Sequence, residues 1–100
     1  MSIVLRSPEA EDDLVAIWDW YSKKVSEAKA DQMIDLICDV CDLLSSQPRM
    51  GKSYDELGED VRSFPIRGYV LIYRPLEHGI ELLSALHHSQ DIPPIFRVRR

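Results

Sequence analysis

Residues 61–75, VRSFPIRGYVLIYRP, decide how this chain folds. Strand-forming residues recur with a period of two on both sides of Arg67–Gly68, which is typical of two strands joined by a tight turn. We therefore predict one strand over residues 61–66 and a second over residues 69–74. Because Pro65 cannot donate a backbone hydrogen bond, the first strand should lie at an edge of the sheet or end near this residue.

The second strand determines which side chains are expected to face the helices. Alternation places Val70 and Ile72 on one face, and we predict that this face packs against the helical layer. The tyrosines of the strand then share the opposite face. A third strand is expected over residues 80–88. The predicted core combines residues of the strands and the helices: Val70, Ile72, Leu82, Leu86, Ile34, Ile37 and Leu14.

Two helices are predicted upstream of these strands. Ser7 is a good N-cap and Pro8 suits the first helical position, so a helix should begin there. Ser26 can cap a second helix, which ends near Ser46, before the turn-rich residues 47–60. Apolar residues recur along both segments at helical spacing, and the very short connection between them predicts a helix hairpin.

A short strand over residues 2–6 completes the predicted order β-α-α-β-β-β. This order indicates an α+β domain of two layers, in which the helix hairpin packs on a small, mainly antiparallel sheet. The 100 residues are the size of a single domain, residues 1–100. We expect residues 92–100 to form an extended, flexible basic tail, because this segment contains two prolines and three arginines. The alternatives for its last six residues, IFRVRR, are an extra strand or an arm that contacts the target.

Charge is distributed unevenly along the chain, whose formal net charge is −5 and whose pI is about 5.1. Residues 1–60 contain 14 acidic and 6 basic residues, whereas residues 61–100 contain 3 acidic and 6 basic residues. Nucleic-acid-binding proteins carry dense basic surfaces, because phosphate neutralisation dominates their affinity. The balance here favours a protein or a compact ligand as the partner over bulk RNA or DNA. The sequence has no apolar run of membrane-spanning length and no signal-peptide pattern, so we expect a cytoplasmic protein without a membrane partner.

The two cysteines, Cys38 and Cys41, form the motif CDVC. A redox C-x-x-C motif usually opens a helix, where the dipole lowers the thiol pKa, but this motif lies within the apolar pattern of the second helix. A zinc site would need further ligands, and the adjacent strand residues His87 and His88 could donate only one ligand inward. We interpret the cysteines as small core residues and expect no metal and no cofactor.

The second helix also carries an apolar row outside its core stripe, formed by Leu36, Val40 and Leu43. Because the apolar arc is wider than one sheet contact needs, we expect part of it to meet the first helix and part to bind a partner. Trp20 lies off the core stripe of the first helix, and an exposed aromatic residue often anchors an interface. The remaining face of the second helix is a row of aspartates, interpreted as a solvated surface or, alternatively, as a contact for a basic partner.

Three stretches together resemble the RelE/ParE superfamily of toxins from bacterial type II toxin–antitoxin systems. They are SPEAEDDLVAIWDWY (7–21), QPRMGKSYDELGEDVRSFPIRGYVLIYRP (47–75) and IELLSALHHSQD (80–91). The central stretch contains an arginine, a short strand, and a tyrosine-rich strand that ends in tyrosine and arginine. The closing residues resemble the ParE branch, in which a basic residue often precedes the final aspartate, although Gln90 stands in that place here.

The resemblance implies one of two functions. RelE-like members cleave messenger RNA on the ribosome, whereas ParE-like members poison DNA gyrase and are not known to cleave bonds. Members of both kinds are neutralised by a small antitoxin, encoded beside the toxin, whose C-terminal segment wraps the toxin. ParE-type antitoxins commonly carry an N-terminal ribbon-helix-helix DNA-binding domain. The resemblance thus implies a hetero-oligomer of toxin and antitoxin that contacts DNA only through the antitoxin.

The residues available for chemistry favour the ParE-like branch. Metal-free RNA cleavage needs a base, an acid, and cations that stabilise the phosphorane. RelE-like enzymes use several lysines and arginines with a late tyrosine or histidine, but this chain has no lysine after Lys52 and no tyrosine after Tyr73. We therefore expect a gyrase inhibitor without catalytic residues. The alternative is a ribosome-dependent mRNA interferase with the catalytic set His88, Arg62 and Arg74.

The ParE-like interpretation predicts a site that binds the gyrase target and the antitoxin. Its members come from the strands, the end of the last strand and the helix hairpin: Arg62, Tyr73, Arg74, His88, Trp20, Leu36, Val40 and Leu43. The arginines also have a plainer interpretation, in which they pair with acids such as Glu81 across strands, an arrangement that adds little to stability.

Overall fold

The chain folds into one sheet and three helices over the residues described by the computed structural model, which are residues 2–99, with side chains for residues 2–97. In chain order the elements are β1 (Ile3–Arg6), α1 (Pro8–Lys24), α2 (Glu27–Ser46), β2 (Lys52–Ser53), a short 3₁₀ turn (Asp55–Leu57), β3 (Arg62–Ile66), β4 (Tyr69–Leu76), β5 (Gly79–His87) and α3 (Ile92–Arg99). The strand order is β1-β5-β4-β3-β2, antiparallel except between β1 and β5. The predicted α+β class is confirmed. Met1 and Arg100, at the ends of the predicted domain, lie outside the described residues.

Side-chain caps begin both long helices where the sequence predicts. The Ala10 amide donates to Ser7 Oγ at 3.1 Å, and Pro8 occupies the first turn of α1. The Lys29 amide donates to Ser26 Oγ at 3.1 Å and so caps α2. Because only residues 25 and 26 separate the two helices, they pack as the predicted hairpin over the sheet.

The turn between β3 and β4 also has the predicted form. Arg67 and Gly68 have φ angles of 46° and 87°, and two positive φ angles are the signature of the tight turn that matches strand twist. The unpredicted strand β2 pairs only with Arg62 and Ser63. Pro65 therefore lies where β3 is the edge of the sheet, as its missing N–H requires.

The predicted facing of β4 is wrong. Leu71 and Tyr73 pack against the helix hairpin, whereas Val70 and Ile72 face the opposite side of the sheet. Burying the tyrosine face toward the hairpin is possible because the Tyr73 hydroxyl finds backbone partners there, so no polar atom is left unsatisfied.

A β-bulge in β5 explains why the predicted core also divides. Ile72 pairs with Ser84 but Tyr73 pairs with Leu82, so Leu83 is an extra residue in β5. The bulge reverses the alternation, and Leu82 faces the hairpin while Leu86 faces the other side. Strict alternation would have kept these two leucines on one face.

Two buried clusters result, one on each face of the sheet. The hairpin side contains Ala10, Leu14, Ile17, Met33, Ile37, Cys41, Leu44, Ile66, Leu71, Tyr73, Ile80, Leu82 and Ala85, with Ile34 packed against it. The other side contains Leu57, Val61, Ile72, Leu86, Ile92 and Phe96. Of the predicted core, Leu14, Ile37 and Leu82 therefore belong to the hairpin-side cluster. Ile72 and Leu86 belong to the second cluster, and Val70 packs against it.

The expectation of an extended C-terminal tail is also wrong, because α3 begins at Ile92. Pro93 and Pro94 fall in the first turn, where backbone N–H groups have no helical partner and proline is tolerated. Ile92 and Phe96 are one helical turn apart and bury themselves in the second cluster. The tail is therefore a helix that covers the second face of the sheet, and the part of the prediction that falls on Arg100 lies outside the described residues.

Candidate functional site

Arg62 and Tyr73 hold the segment Pro48–Gly51, which we name the connector loop. Tyr73 is fully buried; its hydroxyl donates to the Pro48 carbonyl at 2.7 Å and accepts the Gly51 amide at 2.9 Å. Arg62 Nη1 donates to the carbonyl oxygens of Gly51 at 2.7 Å and Arg49 at 3.3 Å. These two predicted site residues thus point at the chain's own backbone, and Tyr73 has no exposed surface for a partner.

The environment of Tyr73 keeps its phenol neutral. Burial raises the pKa of Tyr73 above its ordinary value, while the Gly51 amide and the Arg62 guanidinium act in the opposite direction. A neutral phenol is what the site requires, because the hydroxyl proton is the one donated to the Pro48 carbonyl.

Arg74 forms a cross-strand ion pair with Glu81, as the plainer interpretation of this arginine predicts. Its Nη2 lies 2.6 Å from Glu81 Oε1, and the two residues are register partners in β4 and β5. Arg74 follows Tyr73, whose register partner in β3 is Arg62, so alternation puts the two arginines on opposite faces of the sheet. The arginine side chain is half exposed, which leaves part of it available for a partner.

His87 and His88 lie beside the first residue of β4, because His87 at the end of β5 pairs with Tyr69. His88 is exposed, its ring stacks on the His87 ring with centroids 4.6 Å apart, and His87 meets Tyr69 edge to face at 5.3 Å. The rings sit beside the β3–β4 turn, where the His88 amide donates to the Gly68 carbonyl. Five residues of strand, about 17 Å, separate this end from Arg74. The alternative catalytic set of His88, Arg62 and Arg74 is therefore not assembled in this structure.

Trp20 borders a groove that crosses the tip of the helix hairpin and the β3–β4 turn. Its side chain is 51% exposed and meets Tyr21 edge to face at 5.0 Å. Two adjoining cavities of about 390 and 460 Å³ share Tyr21 and Arg67. We name them together the hairpin-tip groove. Its lining is Trp20, Tyr21, Val25, Lys29, Gln32, Met33, Leu36, Arg67, Tyr69 and His87.

The apolar row of α2 continues from this groove. Leu36 and Val40 are half-buried against the hairpin-side core, and Leu43 is 46% exposed. The row is spaced i, i+4, i+7 and so follows one face of the helix. The predicted aspartate face is exposed along its whole length, at Asp31, Asp35, Asp39 and Asp42.

Asp13 is a buried residue that the sequence interpretation missed. Its Oδ2 accepts the Ala85 amide at 2.9 Å, beside the bulge of β5 where the strand ladder is interrupted. The contact joins α1 to β5. The signal for it is an acid next to Leu14 on a helical stripe that is otherwise apolar, since a buried carboxylate requires a donor.

The cysteines are free thiols, and Cys41 lies in the core as expected. Burial, reinforced by neighbouring Cys38, raises the pKa of the Cys41 thiol to about 11. Arg6 Nη2 contacts Cys38 Sγ at 3.3 Å and ties β1 to α2. Across the part of the chain that the structure describes, no group of three or more His, Cys, Asp or Glu side chains is placed to hold a metal ion.

Known proteins similar to this chain share one family description. The family model described as ParE toxin of type II toxin-antitoxin system, parDE, matches residues 4–92. Two curated relatives, each named Toxin ParE1, from Mycobacterium tuberculosis strains CDC 1551 / Oshkosh and ATCC 25618 / H37Rv, are 28% identical over 89 residues, or 88% of this chain and 91% of the relative. A solved structure described as the chromosomal ParDE TA system from P. aeruginosa superimposes with a TM-score of 0.73 at 20% identity, covering 87% of this chain and 96% of that one. That likeness shows a shared fold.

Proposed function

The chain belongs to the ParE toxin family of type II toxin–antitoxin systems, and from this premise we propose that it inhibits DNA gyrase and is neutralised by a cognate antitoxin. Both activities are binding activities. The observation that carries the proposal is a surface rich in apolar side chains, which runs from the hairpin-tip groove through the row Leu36, Val40 and Leu43.

This surface suits an antitoxin segment that folds into an amphipathic helix as it binds. Such a helix places its apolar residues in a groove at spacings of three and four. The row on α2 has the same spacing. Trp20, which lines the hairpin-tip groove from α1, is large and half exposed, which is typical of an interface anchor. Lys29 and Arg67, which line the groove, would favour acidic side chains at the margin of the segment.

Target recognition by contact is favoured over bond cleavage by the separation of the candidate catalytic groups. General acid–base catalysis needs a proton-transferring side chain within hydrogen-bond reach of the reacting group, and cations close to the same point. His88 and Arg74 lie near opposite ends of β4, and Arg74 is paired with Glu81. We therefore assign Arg74 and His88 to contact with the protein target.

The assembly and location follow from the same proposal. The antitoxin would carry a ribbon-helix-helix domain, and the toxin would reach DNA only through it, in a hetero-oligomer located in the cytoplasm. The mild charge of this chain agrees with an indirect contact to DNA. None of the helices within residues 2–99 has the length and apolarity needed to cross a bilayer.

The test is to induce the chain alone and to assay growth arrest, gyrase supercoiling and ribosome-dependent mRNA cleavage in parallel. We expect growth arrest with inhibited supercoiling and no cleavage product. Replacing His87 and His88 with alanine, singly and together, should reduce gyrase inhibition in graded steps that follow the loss of affinity. Loss of a catalytic acid or base would instead lower the rate by about 10²–10⁴. Cleavage that disappears in a histidine variant would contradict the proposal and identify an mRNA interferase.

A further inference from the structure

The connector loop has an unusually constrained backbone. The hydroxyl of Tyr73 bridges Pro48 and Gly51, and Arg62 holds the carbonyls of Arg49 and Gly51. The Met50 amide donates to the Gln47 carbonyl at 3.0 Å. A Cβ atom at Gly51 would overlap the Tyr73 hydroxyl, so the close approach requires glycine.

The side chains of this fixed loop point outward. Arg49 is exposed and Met50 is 39% exposed. They border an open cavity of about 500 Å³ whose lining has one cation and no acid, in a chain of net charge −5: Gln47, Pro48, Arg49, Met50, Pro75 and Leu76. The loop thus presents an apolar side chain and a guanidinium next to each other on a backbone that cannot easily change shape.

We propose that Arg49 and Met50 contact the toxin's protein target, at a carboxylate beside an apolar side chain, and that Tyr73 and Arg62 position the loop for this contact. The inference rests on the proposed function, because it assumes a folded protein target. Tyr73 and Arg62 were predicted to bind a partner, but their side chains bind the backbone of the connector loop. In this proposal they affect partner binding by holding that loop in place.

The rigidity of the loop favours the target over the antitoxin as its occupant. An antitoxin segment that folds on binding can adapt to the toxin surface and pays for its ordering at that moment. A folded target cannot adapt in this way, so complementarity has to be built into the toxin, and a pre-ordered loop lowers the entropic cost of association. The Arg49 guanidinium supplies the charge complementarity for a carboxylate.

The experiment compares Arg49→Glu, Met50→Ala and Tyr73→Phe with the parent, with Lys23→Glu as a charge-reversal control at an exposed position outside the loop. The readouts are growth arrest, the half-inhibitory concentration against purified gyrase, and the dissociation constant for the antitoxin. Arg49→Glu should raise the half-inhibitory concentration at least about tenfold, as expected for losing a hydrogen bond to a charged group. Lys23→Glu should change it less than about twofold, and antitoxin affinity should stay within about twofold throughout.

Tyr73→Phe tests positioning separately from stability. Its effect on inhibition should disappear in an Arg49→Ala, Met50→Ala background, because a residue that acts through the loop has nothing to position there. The Gly51 amide should also exchange hydrogen faster than in the parent, while the amides of Leu71 and Ile72 stay protected. An effect of Tyr73→Phe that is additive in that background would overturn the positioning role.

Other outcomes separate this inference from the proposed function. If the parent arrests growth without inhibiting gyrase, the gyrase proposal fails and the same variants then test the loop by growth arrest. Loop variants that arrest growth as the parent does overturn the inference alone. A matching loss of antitoxin affinity makes the loop an antitoxin contact and also overturns it, and a parent that does not arrest growth overturns both proposals.

Discussion

Arg62, Arg67 and Arg74 lie within thirteen residues of one another, yet each has a different neighbourhood. Arg62 binds backbone carbonyls, Arg67 occupies a tight turn with φ of 46° beside the hairpin-tip groove, and Arg74 pairs with Glu81. A residue type and its position in a strand therefore do not determine its role. What decides is which groups lie opposite, and those come from distant parts of the chain.

A stability comparison of Arg62→Ala with Arg74→Ala checks this difference. Arg62→Ala should lower the free energy of unfolding by about 1–3 kcal/mol, because partly buried carbonyls of the connector loop lose their donor. Arg74→Ala should cost less than about 1 kcal/mol, because the arginine of this ion pair is half exposed to solvent. Urea unfolding measures both changes, and equal losses would contradict the structural role assigned to Arg62.

Cys41 provides a pH-dependent prediction. Burial raises its pKa from 9.0 to about 11, so the stability contributed by the neutral thiol is complete below pH 9 and is lost as pH rises toward 11. By pH 10 the loss of unfolding free energy should be on the order of 1 kcal/mol. Urea unfolding at pH 8, 9 and 10 measures it, and Cys41→Ala, which cannot ionise, should remove this part of the decline. If the stability of Cys41→Ala fell with pH as steeply as that of the parent, the decline would come from groups other than Cys41.

At the scale of elements, α3 should contribute to stability as part of the second cluster. Phe96 is 6% exposed against the face of the sheet that contains Ile72 and Leu86, so Phe96→Ala should cost about 3–5 kcal/mol. Arg97→Ala is the matched control in the same helix, because its ion pair with Glu56 at 3.5 Å is exposed and should be worth under about 1 kcal/mol. Thermal or urea unfolding distinguishes the two variants. A small loss of stability in Phe96→Ala would contradict a packed α3 and favour the flexible tail expected from the sequence.

The elements that the sequence predicts well are those specified by local chemistry. Ser7 and Ser26 cap their helices through neighbouring amides, and Arg67–Gly68 forms its turn through its own φ angles. The facing of β4 was mispredicted because it depends on non-local facts, namely the backbone partners of the Tyr73 hydroxyl and the bulge at Leu83 in another strand. α3 has a local signal, since its apolar residues are spaced for a helix, but its two prolines were interpreted as breakers instead of first-turn residues.

At the scale of the whole molecule, the predicted site separates into two regions. The positions of the apolar members, Trp20, Leu36, Val40 and Leu43, off the core stripes of their helices could be predicted from helical spacing, because an amphipathic pattern indicates which residues the core does not need. The strand members could not be sorted in this way. Whether an arginine or tyrosine on a strand points to solvent or to the connector loop depends on how that loop, 11 residues away for Arg62 and 22 for Tyr73, folds back. Strand alternation does not contain that information.

The apolar row of α2 is the surface that we propose for antitoxin binding. Leu43→Glu places a charge in the apolar row of α2, so it should weaken binding of the antitoxin at least about tenfold, since burying an unpaired charge in an apolar contact is costly. Val15→Glu is the control, because Val15 is 61% exposed on α1 and is outside the row. It should change the dissociation constant by less than about twofold.

Calorimetric titration of each purified variant with the antitoxin measures both constants, and thermal unfolding of the free variants shows that each remains folded. Growth rescue by co-expressed antitoxin gives the same comparison in cells: rescue should fail for Leu43→Glu and persist for Val15→Glu. Because Leu43 contributes little to the core, the substituted chain should stay toxic while escaping its antitoxin. Equal loss of affinity in both variants would show that the antitoxin covers α1 as well, and unchanged affinity in Leu43→Glu would place its binding surface elsewhere.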